Sequence, residues 1–251
     1  MMTELERDIT SRLDEVSGRI AYAAGKANRD PDEITLVAVT KTWPAEVVCA
    51  AYQCGIRDVG ENRPEELAGK KRRVQEVLPE AADLTWHQIG TVQSRKSKLV
   101  VESADFFHAL DRLKIGQRLS NQLQEYRWTL PVLLELNLSG EASKSGFLAN
   151  NWEEDATQQE NLRNVIETIS QLPGLKLQGL MTMAPWGVHE ELIRSVFRRT
   201  RLLAEWLQKE VPKVDMSQLS MGMSGDFEIA IEEGATIVRV GQAIFGQRHQ
   251  T

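Results

Sequence analysis

An α/β fold, a single (β/α)8 barrel over residues 1–251, is the fold class this sequence predicts, and three observations predict it. Eight short apolar, β-branched runs alternate with segments of helical period. Such alternation implies parallel strands joined through βαβ crossovers, with the helices outside the sheet. At 251 residues the chain accommodates eight strand–helix units, which fit a closed barrel better than an open sheet.

The elements follow in order. Residues 4–28 read as an amphipathic helix, because Leu5, Ile9, Leu13, Val16, Ile20 and Ala23 recur at spacings of three and four; Pro31 then ends it. Strand-like runs lie at 34–39, 56–59, 85–89, 106–110, 132–138, 175–181, 216–220 and 236–240. Helical patterns fill the intervals at 45–54, 64–77, 94–102, 113–126, 161–172, 190–209 and 227–233. Residues 241–251 are too few for a full closing helix, so the N-terminal helix is expected to cover the last gap in the outer ring. The polar stretch 150–160 reads as an exposed loop or a helix entry.

Composition narrows the function. With 30 Lys+Arg against 36 Asp+Glu the formal net charge is −6, which gives no general reason to attract nucleic acid or an anionic membrane. An anionic ligand must therefore be held by a local site. Cys49 and Cys54 lack further cysteine or paired histidine ligands nearby, so neither a disulfide scaffold nor a structural zinc site is expected. Residues 1–8 are polar and acidic, unlike a secretory signal, and no apolar run approaches a membrane span. A cytoplasmic protein is the expectation.

In a barrel the functional face is formed by the carboxyl ends of the strands. There the sequence delivers Thr40 and Lys41, then Gly60, Glu61 and Asn62, Gly90, Asn137 and Ser139, residues 181–185, Ser220, and Arg239 with Gly241. A lysine in a partly dry barrel mouth has its ammonium form disfavoured, which makes the amine available for Schiff-base chemistry; the alternative is a solvated strand end. Glycines 222, 225 and 241 let backbone N–H groups approach an anion, and Ser220 and Ser224 add hydroxyls. Ser220, Gly241 and Gln242 together read as a phosphate cradle; the alternative is that the glycines only serve tight turns. Arg239 stands in an apolar strand and needs a buried partner, either a carboxylate such as Glu135 or a ligand's ring nitrogen or phosphate. His87 reads as a hydrogen-bonded core histidine, and the run Lys70-Lys71-Arg72-Arg73 as a solvated helix face.

Seven motifs in order carry a resemblance over nearly the whole chain: LVAVTKT at 36–42, VGEN at 59–62, WHQIG at 86–90, NLSGE at 137–141 with KSGF at 144–147, GLMTMAP at 179–185, LSMGMSGDF at 219–227 and VRVGQAIFG at 238–246. The sequence resembles the YggS/PROSC family of pyridoxal 5′-phosphate (PLP) homeostasis proteins, whose fold is of the alanine racemase N-terminal domain type. The resemblance implies that Lys41 carries PLP as a covalent aldimine, that Ser220, Gly241 and Gln242 hold the phosphate, that Arg239 faces the pyridine nitrogen, and that Asn62 and Met181 line the pocket. Departures fall at Arg95-Lys96, at Pro64-Glu65 and in a longer segment 148–160, away from these contacts.

A guanidinium offers donors and no acceptor, so a ring nitrogen facing Arg239 stays unprotonated and the ring is a weaker electron sink. The resembled racemases take a second base, a tyrosine, from a separate C-terminal β domain of the partner subunit. That domain is not expected here, and Tyr22, Tyr52 and Tyr126 all fall in helical patterns. The expectation is a monomeric PLP carrier without catalytic residues or metal, which influences amino-acid and keto-acid balance and has PLP-dependent apoenzymes or a regulatory protein as partners. The alternative is a racemase-like PLP enzyme acting on an amino acid.

Overall fold

The structure is a computed structural model describing residues 2–141 and 144–247. Its centre is a closed parallel barrel of eight strands: β1 (Thr35–Val39), β2 (Asp58–Glu61), β3 (Thr85–Gln88), β4 (Phe106–Leu110), β5 (Leu130–Asn137), β7 (Leu175–Met181), β8 (Gln218–Ser220) and β9 (Ile237–Val240). The two-residue strand β6 (Phe147–Leu148) pairs with the end of β5 outside this ring. Closure runs through β1 against β9, with Val37 opposite Arg239, and through β4 against β5, with Phe107 opposite Val132. Every run expected to be a barrel strand forms one.

Helices α1 (Glu4–Lys26), α2 (Ala45–Gln53), α3 (Pro64–Val77), α4 (Ser97–Ser103), α5 (Leu113–Tyr126), α6 (Ala156–Ser170), α7 (Glu190–Glu210), α8 (Phe227–Glu232) and α9 (Gln242–Phe245) lie on the chain between and around the strands. None is long and apolar enough to cross a membrane. The core is continuous from the buried Val37, Phe107, Leu134, Leu180 and Val238 of the strands to Leu67, Leu119, Phe197 and Phe227 of the helices. Burial of these side chains stabilises the barrel by roughly 1.5–3 kcal/mol each.

Helix α1 fills the gap left after β9. A capping box opens it: Thr3 Oγ1 accepts the Glu6 N–H while the Glu6 carboxylate accepts the Thr3 N–H. Its buried stripe of Ile9, Val16, Ile20, Ala23 and Ala24 packs in the company of α2, α8 and α9, and Arg19 and Lys26 pair with Glu228 and Glu232 of α8. Helix α6 starts five residues before the expected 161, because the Asp155 carboxylate accepts the N–H groups of Thr157 and Gln158 and caps a turn the polar sequence disguised.

Candidate functional site

Beyond the carboxyl end of the strands lies a cavity of about 820 Å³, whose wall includes Lys41, Asn62, Glu135, Ser224, Arg239 and Gly241. They come from the ends of β1, β2, β5 and β9 and from the loop after β8, which is how a barrel gathers chemistry that is distant in sequence.

Lys41 sits in the turn after β1. The Thr40 carbonyl accepts the Trp43 N–H at 3.0 Å and the Lys70 ammonium at 2.7 Å, and Thr42 takes a left-handed φ of 70°. A β-branched residue there is strained, and the surrounding bonds hold the turn in place. Beneath it Thr40 donates to Glu61 Oε1 at 2.6 Å, and Lys70 donates to the same oxygen at 2.5 Å. Burial raises the Glu61 pKa above the usual carboxylate range, and Lys70 opposes that rise. Lys70 and Lys71 therefore do not form the solvated face expected of the 70–73 run: Lys70 is tied to Glu61, and Lys71 to Asp105 and the Ser103 carbonyl. The long lysine stems reach inward over the helix surface, which a charge count along the sequence does not reveal.

On another part of the wall the hydroxyl of Ser224 accepts the N–H groups of Gly241 and Ala243 at 3.3 and 3.4 Å. A Cβ on Gly241 would stand 3.0 Å from the Val39 carbonyl oxygen, so a larger residue after β9 would crowd the end of the neighbouring β1. Both N–H groups are engaged by Ser224 here, so the hydroxyl hydrogen is the donor that this uncharged corner of the wall leaves for an anion.

Arg239 is buried, and its charge is not met by Glu135 in an ion pair. Nη1 donates to Ser220 Oγ at 2.5 Å and Nη2 to the Thr182 carbonyl at 3.1 Å. Desolvation pulls its pKa down to about 10, against the pull of Asp226 and Glu135, so it stays cationic at neutral pH. Glu135, also buried, is pushed up to about 7 by burial and by the nearby Asp111. Its Oε2 has no hydrogen-bond partner.

Five of the sequence-derived residues, Lys41, Asn62, Arg239, Gly241 and Gln242, meet in this wall. Met181 and Ser220 do not: both are buried, and Ser220 is committed to Arg239 and His108. Ser224, four residues on in the same motif, is the serine that reaches the cavity.

The alanine racemase N-terminal domain family matches residues 13–249. The pyridoxal phosphate homeostasis protein of Vibrio alginolyticus is 40% identical over 96% of this chain and 97% of its own, and that of Pseudomonas aeruginosa is 41% identical over 96% of each. This chain belongs to the pyridoxal phosphate homeostasis protein family. PipY of Synechococcus elongatus, solved with PLP bound, superposes with a TM-score of 0.78 at 31% identity, over 95% of this chain and all of PipY. Alanine racemase of Streptomyces coelicolor shares the fold, with a TM-score of 0.67 at 16% identity over 94% of this chain and 59% of the racemase.

Two features of this family member had no clear sequence signal. Glu135 looked like a partner for Arg239 and is instead a cavity carboxyl. Trp186, 92% exposed at the cavity rim, directly follows the 179–185 motif, and nothing in its own sequence context singles it out.

Proposed function

We propose that this chain binds PLP in the barrel cavity as an aldimine on Lys41 and holds it for exchange with PLP-dependent apoenzymes, without turnover of its own. The observation that carries the reading is the shared wall: a lysine amine, a buried guanidinium and the uncharged Ser224–Gly241–Ala243 corner border one space. When bound, PLP supplies an aldehyde that condenses with an amine and a ring that accepts electrons. Lys41 would provide the amine, Ser224, Gly241 and Gln242 would face the phosphate, Arg239 would meet the ring nitrogen, and Asn62 would complete the wall.

A corner of hydroxyl and backbone dipoles suits a dianion in a protein of net charge −6, since it relies on local groups rather than on a basic exterior. A ring nitrogen that accepts from Arg239 is a poor electron sink, which supports carriage over carbanion chemistry. The three tyrosines lie on α1, α2 and α5, where Tyr52 bonds the Glu80 carbonyl and Tyr126 bonds Glu102. A monomer acting in the cytoplasm completes this reading. One observation favours a second reading, a weak amino-acid racemase: Glu135 is a cavity carboxyl able to carry a proton near neutral pH.

Visible spectroscopy, borohydride reduction and peptide mapping test the proposal. The expected result is a pyridoxyl adduct on Lys41 that Lys41→Ala abolishes; no absorbance and no adduct would overturn it. Chiral conversion of amino acids, lost in Lys41→Ala, would replace carriage with catalysis.

A further inference from the structure

Behind the cavity wall, a line of buried polar groups leads from Arg239 through the barrel. Arg239 Nη1 is 2.5 Å from Ser220 Oγ, which is 2.9 Å from His108 Nδ1. His108 Nε2 is 2.8 Å from His87 Nδ1, and His87 Nε2 is 2.9 Å from Asp58 Oδ1. Ser220, His108 and His87 are all buried, whereas the Asp58 side chain is 28% exposed at the start of β2. Strands β4 and β8 are not neighbours in the barrel, so the contact of His108 with Ser220 crosses its interior.

The chemistry of the two ends gives the line a direction. A guanidinium only donates, and an ionised carboxylate only accepts. A neutral imidazole has one donor and one acceptor nitrogen. With both rings neutral, one arrangement satisfies all four contacts: Arg239 donates to Ser220, Ser220 to His108, His108 to His87, and His87 to Asp58. Burial, beside His87 and Arg239, holds the His108 pKa far below its ordinary value, which agrees with a neutral ring. The competing arrangement places an imidazolium at His87 and reverses the two central bonds.

We propose that Asp58, His87, His108 and Ser220 form a one-way donor relay that locks Arg239 in place, making them positioning residues for the ligand that Arg239 meets. Each bond in such a chain polarises the next, and a hydroxyl that gives its proton to an imidazole is a better acceptor for the guanidinium. The negative charge of Asp58 is the sink that sets the direction. Its amide analogue could donate as readily as accept, and both directions would then be open.

The relay itself does not depend on PLP, but its effect on a ligand rests on the PLP reading above, and the test separates the two. In full-length protein labelled with ¹⁵N-histidine and free of added PLP, both rings are expected as the Nε2–H tautomer. Asp58→Asn is expected to move at least one ring towards Nδ1–H, and Asp58→Glu to restore it. An imidazolium at His87, an Nδ1–H tautomer at His108, or tautomers unchanged in Asp58→Asn would overturn the relay.

In protein titrated with PLP, Asp58→Asn is expected to displace the visible band and weaken binding roughly threefold or more, the scale of one net hydrogen bond. Asp58→Glu should again recover wild-type values. If the wild-type band and affinity persist in Asp58→Asn, Arg239 is not positioned by the relay, although PLP binds. If wild-type protein takes up no PLP, it is the PLP reading that fails, and the tautomer measurement still decides the relay.

Discussion

Lys70 Nζ lies 2.5 Å from Glu61 Oε1 and 2.7 Å from the Thr40 carbonyl oxygen, so a single ammonium joins α3, β2 and the turn that presents Lys41. Glu61 is fully buried and the Lys70 side chain is 11% exposed. Removing one partner of such a pair leaves a buried charge without compensation, at a cost of about 3 kcal/mol or more. Lys70→Met is therefore expected to lower unfolding stability by about that amount, and Glu61→Gln combined with it to recover most of the loss. Urea unfolding of the two variants checks this.

The two serines of the 219–227 motif should separate cleanly. Ser224→Ala removes a hydroxyl from the cavity wall and is expected to weaken PLP binding about tenfold, the scale of one hydrogen bond to a charged group. Ser220→Ala leaves Arg239 Nη1 and His108 Nδ1 without their partner in the core and is expected to lower stability by roughly 1–3 kcal/mol. Titration with PLP and thermal melts on both variants give the comparison.

Glu135 has a definite signature in pH. Its folded pKa, about 7, lies above the 4.5 of an ordinary glutamate, so the folded state binds more protons than the unfolded one between those values. Stability therefore falls as pH rises from about 4.5 to 7, and the full cost of the buried charge is present above that. Glu135→Gln is expected to flatten this slope and to stabilise the protein by roughly 1–3 kcal/mol at pH 8, with no gain at pH 4. Melting temperature measured across the range is the check.

Trp186 stands at the cavity rim, almost fully exposed. PLP bound in the cavity is expected to quench its fluorescence. Trp186→Phe should remove most of that quenching while changing stability by no more than about 0.5 kcal/mol, as for an exposed side chain. A fluorescence titration of the variant against wild type measures the first, and a melt the second.

Most of the fold was legible because its signals are local. The 3.6-residue period of α1 and the runs that become β1 and β7 depend only on neighbours in the chain, and they appear at their expected places. The start of α6 was less legible, since the polar residues 150–160 hide a helix whose beginning depends on one Asp155 cap. In the site, Lys41 and Gly241 could be placed by counting to a strand end. Ser220 could not be told from Ser224 that way, because both belong to one motif and only the path of the loop after β8 decides which hydroxyl meets the cavity.

The sequence by itself determined the succession of strands and helices, the lysine at the end of β1 and a glycine- and serine-rich mouth, since each follows from periodicity or from residue type at a strand terminus. Tertiary structure alone decided that Lys70 serves Glu61, that Glu135 faces the cavity, and that Asp58 connects to Arg239 through two histidines and a serine. These relations join residues of different strands and helices, and they are set by the tilt and stagger with which the barrel closes, which no local pattern encodes.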